Sequence, residues 1–192
     1  MLELIKKIRQ QTGAGMVAVK NALDEAGGNE EKAIEILRKL GQSKALKKAD
    51  REAKEGVVVS YIHSNNKVGT LVKLLCETDF VARNDEFVQL AKDIAMHITA
   101  MNPAFVKPED VSEVLVEKEK EIWKVQLAQE GKTAEMMEKI MLGKEKKFRE
   151  DSALLTQAFV KEPSQTVGEL ITASIGKMGE NIQVGEISRL EL

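Results

Sequence analysis

Cysteine, histidine and aromatic residues are all scarce in this chain. A single cysteine, Cys76, among 192 residues excludes an intrachain disulfide and a thiolate metal cluster. Cys76 lies in an apolar, strand-like run, so its thiol reads as a small buried hydrophobe rather than a nucleophile. The two histidines, His63 and His97, neighbour no motif for nucleophilic catalysis. Aromatics make up only 4% of the residues, so the core must be mostly aliphatic. No segment approaches the ~20 apolar residues that a membrane span needs. The stretch MLELIKKIRQQ at the start interleaves charges with apolar residues and forms no signal-peptide h-region. A phosphate loop and a dinucleotide fingerprint are both missing. The nearest candidate, Thr12-Gly-Ala-Gly-Met16, follows a helix pattern where a strand is required. Net charge is only −2, which gives no overall drive toward nucleic acid or an anionic membrane. The expectation is a non-enzyme with no metal, cofactor or small-molecule substrate of its own, in a reducing, cytoplasmic-type compartment.

What is present is a chain with enough apolar residues for a core, 43%, and enough charge for a soluble surface, 31%. Residues 1–41 read as three short helices. Leu2, Ile5 and Ile8 share one face, and Thr12-Gly-Ala-Gly15 breaks the helix. Met16, Val19, Ala22, Leu23 and Ala26 follow 3.6-residue spacing. Gly27-Gly28 stops the second helix, and Asn29 caps a third that carries Ala33, Ile34, Leu37 and Leu40 and ends at Gly41. Residues 42–55, rich in Lys, Ala, Glu and Arg, read as a partly helical linker. Their basic tract Lys44–Arg51 fits a solvated helix face as well as a binding patch.

Residues 56–192 read as an α+β core. Val57–Ile62 and Val68–Cys76, joined by Ser64-Asn-Asn-Lys67, predict an antiparallel hairpin. A helix from about Asn84 places Phe87, Leu90, Ala91, Ile94, Ile98 and Met101 on one stripe and stops at Asn102-Pro103. Residues 112–150 suggest a charged helical hairpin opened by Ser112. Its second helix runs from Ala134 to about Leu142 and bears Met136, Met137, Ile140 and Met141. Thr166-Val-Gly-Glu169 is a capping box ahead of Val167, Leu170, Ile171, Ile175 and Met178, with Gly179 as the stop. Asn181–Leu192 predicts a last strand that pairs with the hairpin, since two strands alone are marginal.

The loop Thr78-Asp79-Phe80-Val81 departs from ordinary turn composition, which favours Gly, Asn, Ser and Pro. Phe80 either folds back as a core anchor or stands outside as a wedge for a partner. His97 is placed at the edge of its helix's apolar stripe, as a boundary residue or as a group presented to a partner.

Taken in order, Thr12-Gly-Ala-Gly-Met16 with Lys20-Asn-Ala-Leu23, Thr78-Asp-Phe-Val-Ala-Arg-Asn84, Ala95-Met-His-Ile98, Asn102-Pro103, Lys107-Pro-Glu-Asp110, Phe159-Val160 and Gly179-Glu-Asn-Ile182 resemble the signatures of the translation elongation factor Ts family. The resemblance covers essentially the whole chain. It implies a guanine nucleotide exchange factor acting on the GTPase elongation factor Tu, in its GDP-bound and nucleotide-free states. The head would be a ubiquitin-associated-like domain docking through Thr12, Gly13, Ala14, Gly15 and Met16. Thr78, Asp79, Phe80 and Val81 would enter the GTPase beside its nucleotide and dislodge magnesium, and His97 would press near its phosphate loop. The chain is similar to the family's short form, with a single core, which pairs two chains. A homodimer is therefore expected, with no direct nucleic-acid or membrane partner. Gly185-Glu186 stands where the family commonly carries two basic residues. The competing class is a binding module whose helical head docks a partner while the core only dimerises; an enzyme with perturbed carboxylates in a pocket is the weaker rival.

Overall fold

The computed structural model describes every residue from Met1 to Leu192. Three helices come first: α1 (Leu2–Thr12), α2 (Met16–Glu25) and α3 (Glu30–Leu46). Ile5, Ile8, Val19, Ala22, Leu23, Ala33 and Leu37 form their common core. Leu2, Met16 and Leu40, which share the predicted faces, are exposed; Leu2 and Met16 begin their helices, where fewer neighbours are available to cover them. Gly13 closes α1 in the left-handed conformation, φ 66°, its N–H donating to the Arg9 carbonyl. The Asn29 side chain caps α3 by accepting from the Lys32 N–H at 3.0 Å. Gly41 does not end α3, as the sequence suggests it should. A glycine inside a helix costs only about 1 kcal/mol, and the Ala- and Lys-containing residues beyond it carry the helix on to Leu46.

Strands β1 (Glu55–Ile62) and β2 (Val68–Cys76) form the predicted antiparallel hairpin. Strand β5 (Gln183–Glu191) pairs antiparallel with the other edge of β2, giving the order β1-β2-β5. Burial alternates with the period of two that a strand imposes. Thr70, Val72, Leu74 and Cys76 point inward, while Leu71 and Lys73 point out. A bulge interrupts the β2–β5 ladder: Gly185 and Glu186 both fall between the paired positions flanking Lys73. At Gly56, φ is +151° and an added Cβ would lie 2.1 Å from the Leu74 carbonyl oxygen, so only glycine fits there.

After β2 come a single helical turn, α4 (Asp79–Ala82), and the long helix α5 (Asp85–Met101). The α5 face against the sheet is fixed at Thr99 by two hydrogen bonds. The Thr70 and Thr99 hydroxyls share a hydrogen bond at 2.8 Å, and Arg189 Nε donates to the Thr99 carbonyl at 3.2 Å. Phe87, Leu90, Ala91, Ile94 and Ile98 are buried as the stripe predicts, but Met101, at the helix end, is exposed.

Helices α6 (Glu113–Gln129) and α7 (Ala134–Ser152) make the charged hairpin. Ser112 and Thr133 cap them, each hydroxyl accepting from a backbone N–H three residues on. Helix α7 runs ten residues past the predicted Leu142. Trp123 packs edge-on to Phe148 with ring centroids 5.9 Å apart. Lys120 and Arg149 bracket Glu145 at 3.0 and 3.1 Å. A two-strand hairpin, β3 (Ala158–Phe159) and β4 (Glu162–Thr166), follows, then α8 (Val167–Met178). The sequence reading missed β3 and β4, which are too short for alternation to register and include Pro163.

The α+β chain divides into two compact units, residues 1–99 with 169–192, and residues 100–168. No helix is long and apolar enough to cross a membrane.

Candidate functional site

The unusual loop is built around Thr78. Its backbone is extended and its hydroxyl accepts from the Val81 N–H at 3.4 Å, so it caps α4. This is why Asp79-Phe80 is helical rather than the open loop that its position between strand and helix suggests. The cap fixes where Phe80 goes. Phe80 is 82% exposed, while Ala82 is the buried residue of the turn. Asp79 pairs with Arg83 at 3.0 Å on the exposed side, and Val81 is half-buried.

A second segment secures this turn from the opposite end of the sequence. The Glu180 carboxylate accepts three hydrogen bonds: from Glu77 N and Thr78 N at 3.0 Å each, and from the Thr78 hydroxyl at 2.6 Å. Glu77 in turn accepts from the Asn181 N–H at 2.7 Å and pairs with Arg51 at 3.4 Å. The Asn181 amide reaches the linker, donating to the carbonyls of Arg51 at 2.7 Å and Ala49 at 3.3 Å. Lys48 Nζ donates to the Gly179 carbonyl. Gly179–Asn181 therefore holds both the end of the linker and the base of the turn. Sequence reasoning noticed Gly179-Glu-Asn-Ile182 as a signature but assigned it no contact. The only available signal was a carboxylate and a carboxamide between a helix stop and a strand.

Cys76 ends β2 beneath the turn, fully buried, its Sγ donating to the Thr78 carbonyl at 3.2 Å. Burial pushes the thiol up to about 11, and the negative charge of Glu180 adds to this. Such a thiol is a packing group, not a nucleophile.

The remaining expected residues lie elsewhere. Thr12 donates its hydroxyl to the Ile8 carbonyl at 2.7 Å and accepts from the Ala14 N–H at 3.3 Å. The segment Thr12–Met16 is thus a tied corner between α1 and α2. Thr12, Gly13 and Ala14 are half-buried, and Gly15 and Met16 are exposed, with Val17 beside them. His97 is not at the edge of a stripe: it is 0% exposed. Eight α5 residues are buried, including Ala95, His97 and Thr99 outside the predicted stripe, so the inward face of this helix is broader than its apolar pattern. No group of three or more His, Cys, Asp or Glu converges as a metal site.

Two of the signature segments, Thr78–Asn84 and Gly179–Ile182, thus serve one arrangement: a capped turn presenting an aromatic ring, anchored from Gly179–Asn181. The family described as elongation factor TS matches residues 2–192. The chain belongs to the elongation factor Ts family. Elongation factor Ts of Fervidobacterium nodosum is 51% identical over 190 residues, covering 99% of this chain and 96% of that protein. The elongation factor Ts proteins of Thermodesulfovibrio yellowstonii and Carboxydothermus hydrogenoformans are each 50% identical over 99% of this chain, covering 94% and 88% of their own lengths. With elongation factor Ts relatives matching almost end to end, the chain is a translation elongation factor.

Proposed function

We propose that the chain accelerates release of GDP from the GTPase elongation factor Tu in the cytoplasm. The observation that carries this reading is Phe80, a large apolar ring held almost fully in solvent on a turn that is fixed at both ends. Leaving such a side chain unburied forgoes ~1.5–3 kcal/mol, and a rigid exposed anchor of this kind suits a pocket in a partner. In this reading Thr78, Asp79, Phe80 and Val81 enter the GTPase beside its nucleotide and displace magnesium. Asp79 trades an exposed ion pair with Arg83, worth little in water, for contacts in the partner.

The thermodynamics require the turn to bind the open GTPase better than the closed one, since equal affinity shifts nothing. Factor and nucleotide then weaken each other's binding reciprocally. Residues 1–41 serve as the docking head through Thr12–Met16, 42–55 as the linker, and 56–192 as the exchange and dimerisation core. For His97 to meet the phosphate loop of the GTPase, whatever covers it must first move away.

The core pairs with a second copy through the outward face of the sheet. Val58, Ile62, Leu71 and Leu190 are exposed there. Ile62 and Leu190 flank Gly69, in register on either side. An apolar face of this kind calls for a cover, and a second sheet supplies one of matching twist.

The deciding experiment is release of a fluorescent GDP analogue from elongation factor Tu with added protein. Acceleration that is lost in Phe80→Ala is the expected result. Binding without acceleration would refute exchange and leave a docking module.

A further inference from the structure

A four-residue helix cannot hold itself together in water, because one turn does not repay its nucleation. Ala82 is buried, Val81 is half-buried and α4 lies against β1 and β2, so packing secures the inner side of the turn but not its start. The start of the turn is held by polar contacts, and three of them converge on one side chain. One Glu180 oxygen accepts the N–H groups of Glu77 and Thr78, and the other accepts the Thr78 hydroxyl. The same hydroxyl accepts the Val81 N–H. The chain Glu180–Thr78–Val81 thus brackets Asp79 and Phe80 on both sides. Bonds to a carboxylate are stronger than neutral ones, and Glu180 is half-buried, so water competes with them less than at an open surface.

We propose that Glu180 is the positioning residue of the exchange turn: it touches nothing in the partner and sets where Phe80 points. The proposal rests on the exchange reading above. Binding energy used in a closing geometry is lost steeply with small misplacements, so loosening the base of the turn lowers the rate of release more than it lowers docking.

The test measures the maximal release rate and the half-saturating factor concentration, using a fluorescent GDP analogue on elongation factor Tu. Wild-type protein is run first, and failure to accelerate sinks the exchange reading itself. With wild type active, Glu180→Ala is expected to lower the maximal rate at least about tenfold at a half-saturating concentration changed less than about threefold. Faster amide exchange at Glu77, Thr78 and Val81 should accompany the loss. Glu180→Gln is expected to stay within about threefold of wild type. Its carbonyl oxygen can take both backbone N–H groups, and its amide can donate to a Thr78 hydroxyl that has turned from donor to acceptor. Wild-type maximal rate in folded Glu180→Ala, a loss confined to half-saturation, or a Gln variant as slow as the Ala variant each overturns the proposal. Should Glu180→Ala not fold, Glu180→Asp takes its place, keeping the charge but withdrawing it by one methylene. A loss of at least about fivefold is then expected, and a wild-type rate overturns the assignment.

Discussion

Phe80 is 82% exposed, while Phe87, on the next helix, is 0% exposed. The two rings are chemically identical and do opposite things. Phe87 fills the interior, so Phe87→Ala should lower unfolding stability by about 3–5 kcal/mol, read from denaturant titration. Phe80→Ala should leave stability within about 0.5 kcal/mol and lower GDP release by about thirtyfold, equivalent to ~2 kcal/mol. A large stability loss in Phe80→Ala would mean that the ring is a core anchor after all.

The sheet face gives a second prediction. Leu71 lies on the central strand, and Leu190, 78% exposed, lies on an edge strand. Leu71→Lys combined with Leu190→Glu should convert a dimer to a monomer without unfolding it, because neither residue is in the core. Light scattering at micromolar concentration reports the mass. A wild-type monomer under those conditions would remove this face as the pairing surface.

The helical hairpin should be acid-sensitive. Hydrogen bonding from Lys120, reinforced by Arg149, holds the Glu145 carboxyl below its ordinary 4.5. A carboxylate with a depressed folded pKa contributes stability above its unfolded value and loses it as pH falls through the folded one. The loss should therefore begin as pH drops below about 4.5. Thermal melts from pH 6 to 3 should show Glu145→Gln less stable at neutral pH but with a shallower acid slope. Parallel slopes in the two proteins would place the acid-labile group elsewhere.

Cys76 supplies a fourth. A buried thiol raised to about 11 is almost wholly protonated at neutral pH, and the thiolate is the reactive form. A disulfide reagent should leave the native protein unmodified over minutes and react with one equivalent once denaturant is added. Rapid labelling of the folded protein would show that β2 opens at its end.

Apart from α4, the helices and the β1–β2 hairpin were legible because each depends on local spacing, caps and turn residues, and the pairing of β5 followed from the marginal stability of two strands alone. Asn29, Ser112 and the turn residues Ser64–Lys67 between the two strands need only their neighbours to be interpreted. Phe80 was legible as an anomaly, but its direction was not: the cap at Thr78 that aims it depends on backbone geometry as well as residue type. His97 misled the reading, because periodicity ranks faces by their apolar content and cannot say how wide the buried sector of α5 is. Glu180 stayed hidden for a different reason. Its partner Thr78 lies 102 positions away, and no local pattern marks a carboxylate that folds back on a distant turn.

That separation has a consequence for how the protein is made. Residues 1–99 and 169–192 belong to one compact unit, so the ribosome makes the anchor of the turn well after the turn itself. At about 5–20 residues per second, the turn bearing Phe80 waits on the order of 5–20 seconds for Glu180 to emerge. During that interval β2 also lacks its neighbour β5, and the base of the turn lacks its Glu180 anchor.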